Sequence, residues 1–333
     1  MMQARPIESS SWRPSHPSDI SPGQWRDWLG HSTRPSPYFL PEWGLYWERV
    51  WPNTQAEVWL RHTPDHSVRG LIAVRRKRLG CEWVFAQPWG TPGGWLGGPP
   101  PNNEDADLIR NLLTAVENPK TVQVTLSLDT AASEVSEWRL IQHETAAWIL
   151  DLRGTHDPEL QLDLSSAHRR NIAKGAQHEP VIMRVEDTDA IARLLATWTG
   201  KAGRESRIVL NQGHAPVFAS MFLPTGALHW WIAYAGEKPV ATTLWLALHD
   251  QAVYVDGAFD RDTLYAGINH HLFHQTLLEL FRTGVRYFDF GAGPLGQTSA
   301  GLAQFKEGWG ARPHPRLELI YRRPWYHRLR TLI

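Results

Sequence analysis

The 333-residue chain has a single cysteine, Cys81. An intrachain disulfide framework is therefore impossible, which excludes the small disulfide-stapled secreted folds and fits a reducing compartment. No Cys–His signature surrounds Cys81, and it reads as a small buried hydrophobe. Long apolar runs are also missing. With none of the roughly 18 residues that a spanning helix needs, no membrane span is expected. The opening segment, residues 1–20, has no apolar core of the kind a secretory signal carries. Net charge is absent too: 34 Lys and Arg balance 34 Asp and Glu. The molecule as a whole thus steers toward neither nucleic acid nor membrane, DNA is not an expected partner, and any polyanion site must be a local patch. There is no G-x-S-x-G elbow and no paired Cys and His, so a covalent enzyme intermediate has no evident nucleophile. The expectation from these absences is a soluble cytoplasmic protein.

What is present is a globular composition, 42% hydrophobic, with 18 tryptophans. The length suggests two domains. Residues 1–20 are polar and proline-rich and read as a flexible arm. Helices are expected at Ser21–Leu29, Pro41–Val50 and Glu104–Glu117, with strands at Ala56–His62, Val68–Arg75, Glu82–Gln87, Thr121–Leu128 and Ala146–Leu152. Residues 89–101, rich in Gly and Pro, are loop. Trp43, Trp47 and Trp51 share one helical face and suit core packing. Further on, Leu160–His178, Thr188–Thr199 and Ala215–Leu223 read as helices and Val181–Val185 as a strand. The run from Arg69, RGLIAVRRKRLGCEWVFAQPWG, then finds a partner in KPVATTLWLALHDQAVYVDGAF from Lys238. Each gives a strand, a hairpin connection and a second strand, followed by a helix (104–117; 266–283) and another strand (121–128; 285–290). This repeated order argues for two α+β lobes of one fold.

The richest stretch is Phe288–Pro315. A strand over Val285–Phe290 is broken by Gly291 and Gly293, a short helix follows over Ala300–Lys306, and Gly308 and Gly310 turn the chain again. Glycines in these places let backbone pass close to a partner or adopt positive φ. Inside the frame lie Asp289, Lys306, Phe305 and Trp309. Elsewhere, Tyr254 and Asp256 end a strand. His168, Arg169, Arg170 and Lys174 form a basic stretch suited to a phosphate. Arg75–Arg78 lies on a hairpin, where cations guard sheet edges. His270 and His274 have the i,i+4 spacing of a zinc pair, but H-E-x-x-H is absent and no third ligand is evident, so no metal is expected. The basic, aromatic tail from Tyr321 reads as a solvated end with two rings packed back, or as a contact for anionic lipid or RNA.

Three motifs, in order, carry a resemblance, Tyr265-Ala-Gly-Ile-Asn-His-His-Leu, Tyr287-Phe-Asp-Phe-Gly and Phe305-Lys-Glu-Gly-Trp-Gly, and the run Ala167-His-Arg-Arg-Asn-Ile-Ala-Lys-Gly-Ala before them is similar to a linker between lobes. Together with the duplicated order they resemble the Fem-type (FemABX-like) branch of the GNAT acyltransferase superfamily, over about Pro37 to Arg323. The resemblance implies two tandem GNAT-like lobes, each a mixed, mostly antiparallel sheet flanked by helices. The first is expected at 21–155 and the second, with the active site, at 156–333. It implies acyl transfer to an amine. In the best-known members the donor is an aminoacyl-tRNA and the acceptor a peptidoglycan precursor peptide, while others use acyl-CoA. This chain lacks the long helical hairpin that some members insert to engage tRNA.

Such a transfer needs a deprotonated amine, a donor for the developing oxyanion and two oriented substrates. The resemblance places Lys306 as the oxyanion or phosphate cation. Asp289 is a candidate to accept a proton or orient the amine, and Tyr254 to contact substrate. Phe305, Trp309, Arg169, Arg170, Lys174, Tyr265 and Asn269 are the candidate substrate-binding set. No tightly bound cofactor is expected. The donor is aminoacyl-tRNA or acyl-CoA and the acceptor an amine-bearing small molecule or peptide precursor, with a peripheral membrane contact as a further partner. The segment Asp262–Asn269 keeps one glycine, Gly267, of the phosphate-cradling loop of single-lobe acetyltransferases, which argues against CoA. A non-catalytic peptide- or glycan-binding module is the reading from outside the enzyme class.

Overall fold

A computed structural model describes residues 13–32, 35–62, 68–86, 120–128, 141–154, 163–198, 208–260, 265–294 and 300–326. The expected helix at 104–117, the loop at 89–101 and residues 1–12 of the expected arm lie outside these. In chain order the strands are β1 Arg13–Ser15, β2 Thr54–His62, β3 Val68–Arg78, β4 Cys81–Ala86, β5 Thr121–Leu128, β6 Ile141–Asp151, β7 Val181–Arg184, β8 Leu228–Ala235, β9 Lys238–Leu248, β10 Gln251–Phe259, β11 Tyr287–Pro294 and β12 Arg312–Arg322. The helices are α1 Pro22–Gly30, α2 Pro41–Val50, α3 Ser166–Ala176, α4 Thr188–Thr197, α5 Ala215–Phe222, α6 Ile268–Arg282 and α7 Ala300–Glu307. The chain divides into two compact units, Met1–Thr145 with Pro315–Ile333, and Ala146–His314.

In the first unit the strands run in the order β1-β2-β3-β4-β5-β12. Residues 13–20 are not a loose arm. Arg13–Ser15 pair antiparallel with Val58–Leu60, and Pro17 is buried under a short 3-10 turn. α1 starts where Ser21 and Gln24 form a reciprocal capping box, with Pro22 at the first helical position. α2 turns Trp43, Tyr46 and Trp47 inward, and all three are essentially fully buried. That i, i+3, i+4 stripe anchors the helix over β2 and β3. Arg75, between β2 and β4, reaches Glu57 at 2.6 Å and Glu82 at 3.1 Å, so the half-buried hairpin pairs its own charges.

In the second unit the order is β6-β11-β10-β9-β8-β7. β9 is buried over almost its whole length, as a central strand covered on both faces should be. The repeat read from sequence is a repeat of topology. β3 and β4, like β9 and β10, form an antiparallel hairpin with a two-residue turn. β4 then runs parallel to β5, and β10 parallel to β11. The core of this unit gathers Trp148, Trp245, Phe273, Leu277, Phe288, Phe290 and Trp309. The helix expected over Leu160–His178 begins only at Ser166, because Ser165 caps it by accepting the His168 backbone N–H at 3.2 Å.

Candidate active site

β10 and β11 pair only at their starts, through Gln251↔Tyr287, Ala252↔Phe288 and Val253↔Asp289. Beyond that point β10 bulges between Tyr254 and Asp256, and β11 meets Gly291, whose φ is 83°. The two parallel strands thus stop hydrogen-bonding to each other, and their polar groups find other partners. Asp289 Oδ1 accepts the Gly291 N–H at 2.7 Å. Lys306, arriving on the last turn of α7, donates from Nζ to the Gly291 carbonyl at 2.8 Å. Its ammonium also lies 4.9 Å from the centre of the Trp148 ring, on β6. Asp289 is 3% exposed and Lys306 5%. A buried charge is tolerated only when its surroundings hold it, and here a carbonyl and an indole face both do so.

A layer of rings packs on Phe305, the residue before this lysine. The His168 ring lies 5.4 Å from Phe305, 5.0 Å from Trp309 and 4.9 Å from His270, centroid to centroid. His168 Nδ1 meets Ser165 Oγ at 2.9 Å, and the Ser165 N–H donates to the Gly308 carbonyl at 2.9 Å. Gly308 is obligatory at this spot, since a Cβ there would sit 2.1 Å from His168 Cε1. Burial lowers the pKa of His168, an effect opposed by the Phe305 backbone. Burial, helped by His168, lowers His270 to about 4. Burial thus disfavours the charged form of both rings, which pack against Phe305 and Trp309.

α3 crosses the start of α6 at two glycines. A Cβ on Gly267, where φ is 87°, would lie 2.1 Å from the Asn171 carbonyl oxygen, and one on Gly175 would lie 2.4 Å from the Gly267 oxygen. Gly267 is thus committed to close helix packing. On the same helix as Gly175, Arg169, Arg170 and Lys174 are exposed. His168 is turned away from them and buried, so the basic stretch read from sequence contributes three cations to the surface and one neutral imidazole to the interior.

The remaining candidates are placed as follows. Phe305 is half-buried beside His168. Trp309 is fully buried and packs against Phe273 at 4.9 Å, so it belongs to the core that supports the site. Tyr254 is half-buried between Trp245 and Phe273, with its hydroxyl beside Gly257. Asp256 accepts the Ile208, Val209 and Gly257 N–H groups at 2.7, 3.0 and 2.8 Å and anchors the backbone there. Tyr265 faces His178 at 5.4 Å and Asn269 sits half-buried in the first turn of α6; neither adjoins Lys306 in any described contact. His270 and His274 both lie against Trp309, at 6.2 and 6.4 Å. Trp148 does not stand out as a site residue in the sequence, and His168 and His270 stand out there only as part of a basic stretch and of a zinc-like pair. The signal for His168 is its i, i+4 and i+7 alignment with Ile172 and Gly175 on one helix face. Trp148, on a strand distant in sequence from Lys306, carries no such signal.

Residues 164–328 match the acetyltransferase (GNAT) domain. No curated protein matches the sequence. Among solved structures, the chain is similar to FemX, with 11% identity, a TM-score of 0.67, and coverage of 96% of this chain and 99% of that one. It is similar to L-PGS from Bacillus licheniformis, with 12% identity, a TM-score of 0.56 and 94% of each chain covered. It is also similar to a tandem GNAT protein from the clavulanic acid biosynthesis pathway, with 12% identity, a TM-score of 0.55 and 94% and 98% covered. At such identities these likenesses establish the fold.

Proposed function

Residues 164–328 are a GNAT-superfamily transferase domain in a chain of FemX-like fold, and from that premise we propose that the protein transfers an aminoacyl group from an aminoacyl-tRNA to an amine-bearing small molecule or peptide precursor. The observation that carries the reading is the buried ammonium of Lys306, fixed on the Gly291 carbonyl where β10 and β11 stop pairing. That is a preorganised positive charge beside backbone freed from its sheet.

In the reaction, the neutral acceptor amine attacks the carbonyl carbon of the donor ester. The new C–N bond forms as the carbonyl becomes a tetrahedral oxyanion, stabilised by the field of Lys306. The C–O bond of the ester then breaks, the amine proton leaves, and the tRNA hydroxyl departs protonated. Asp289, tied to the Gly291 N–H, fixes the backbone on which this geometry rests, and its proposed role is to orient the amine. No covalent enzyme intermediate is required.

Two observations favour a tRNA ester over a CoA thioester. Gly267 is the one glycine kept of the phosphate-cradling loop, and its α-carbon is packed against the Asn171 carbonyl oxygen. Arg169, Arg170 and Lys174 offer an exposed cationic face suited to a phosphate backbone. The acetyltransferase description of the matched domain favours acyl-CoA as the second reading. Cell-wall precursors are the acceptor class that the Fem-type resemblance suggests, with a cytoplasmic location. No helix among the described residues is long and apolar enough to cross a membrane.

The test offers purified protein radiolabelled aminoacyl-tRNA or acyl-CoA with a panel of amines, alongside thermal shift with CoA. Transfer from aminoacyl-tRNA without stabilisation by CoA supports the proposal; stabilisation by CoA and transfer only from acyl-CoA moves the assignment to the second reading.

A further inference from the structure

The turn between β3 and β4 carries an apolar residue where its counterpart in the second unit carries a polar one. Leu79 and Gly80 have φ of 51° and 75°. A two-residue hairpin turn of that hand favours Asn, Asp or Gly, and a leucine there is strained. Leu79 is also 92% exposed. Neither backbone preference nor burial within the chain accounts for it. At the matching turn between β9 and β10, His249 holds the same conformation, with φ 53°, and is followed by Asp250. Both are exposed, as that position ordinarily demands.

Cations surround this tip. Lys77 and Arg78 precede it and are exposed, and the Arg76 guanidinium lies 5.4 Å from the centre of the Trp51 ring. On the neighbouring strand the Lys120 carbonyl accepts the Glu82 N–H at 2.8 Å, which brings exposed Lys120 alongside. Arg323 Nε donates to the Thr121 carbonyl at 2.8 Å. The carboxylate adjoining the tip, Glu82, is buried and held by Arg75, with Lys77 at 3.9 Å. Trp325 is 48% exposed, 6.0 Å from the ring of Tyr326, whose hydroxyl receives the Trp83 Nε1–H at 3.2 Å. The hairpin tip, the start of β5 and residues 323–326 thus meet at one end of the first unit's sheet.

We propose that this end of the first unit docks on a bilayer surface carrying anionic lipid. Leu79 and Trp325 enter the interface, and Arg76, Lys77, Arg78, Lys120 and Arg323 lie against the headgroups. Aliphatic and indole side chains ringed by cations match a surface that is apolar beneath and anionic above. RNA matches less well, because an exposed leucine does not stack on a base as an aromatic ring does. Vesicle binding is independent of the transfer reaction and is measured without it.

The experiment sediments the full chain with vesicles of phosphatidylcholine alone and with phosphatidylglycerol added. Binding is expected to the anionic vesicles and to weaken as salt is raised. Leu79→Asn suits the turn, so melting should be unchanged, while vesicle partition falls about tenfold. Lys77→Gln with Arg78→Gln should lower partition to anionic vesicles by about 25-fold, at roughly fivefold per cation. The proposal is overturned if anionic vesicles do not bring the chain down, or if Leu79→Asn binds them as well as the parent. Displacement from vesicles by a single-stranded RNA that binds Leu79→Asn and the parent equally would also overturn it and make the surface one for nucleic acid.

Discussion

Asp289 and Lys306 hold the same residue from opposite ends of its backbone. The aspartate accepts the Gly291 N–H at 2.7 Å, and the lysine donates to the Gly291 carbonyl at 2.8 Å. Both side chains are buried, and the glycine between them has a φ of 83° that few other residues adopt readily. Strand β11 and helix α7 are thus tied at one residue, at the point where β10 and β11 part.

Gly291→Ala tests that tie. A Cβ at this position would meet nothing within 4 Å, so the cost is conformational and not steric. Urea denaturation should show a loss of about 1 kcal/mol. Single-turnover transfer should fall by about tenfold or more, because the carbonyl that fixes Lys306 is displaced.

Gly308→Ala and Gly267→Ala should be far more damaging. The first sets a methyl 2.1 Å from His168 Cε1, and the second sets one 2.1 Å from the Asn171 oxygen in addition to its φ of 87°. Each should cost about 2–3 kcal/mol by denaturant titration. Gly30→Ala, at the end of α1 with open space around it, serves as the control and should be neutral or stabilising by about 0.5 kcal/mol.

Stability should fall with acid in a window set by the buried histidines. His270 and His229 are each lowered to about 4, and His168 is lowered as well; burial is the main cause in all three. Their pKa values in the fold lie below those of the unfolded chain, so the unfolded state binds the extra protons. The favourable contribution is whole above about pH 6.5, the unfolded histidine value, and is lost as pH drops toward 4. Melting temperature against pH should decline through this range, and His270→Leu should flatten part of the decline. An equally steep decline in that variant would show that His270 is not held neutral.

Much of this is legible from residues alone. Pro41–Val50 and Thr121–Leu128 have the same bounds in sequence and structure, because a proline start and a β-type run are local signals. Lys306 and Asp289 are marked by the glycines around them. What is not legible depends on distant partners. β12 is interrupted by Pro313 and Pro315, so its strand character comes from Leu317–Arg322 pairing with Leu128–Gln123 nearly 200 positions away. β1 is three residues long and owes its form to β2. In sequence His168 belongs to a basic face; in the fold its ring lies over Gly308. Trp148 contributes to the site only because β6 carries it under the Lys306 ammonium.

The central claim is that the buried ammonium of Lys306 stabilises an acyl transfer to an amine, and Lys306→Met tests it most directly. The measurement is single-turnover product formation from labelled aminoacyl-tRNA and acyl-CoA donors, with the fold of the variant checked by circular dichroism. The account predicts transfer by the parent and a fall of about 100-fold or more in the folded variant. Transfer by Lys306→Met at the parental rate, or none by the parent with any donor, would contradict it.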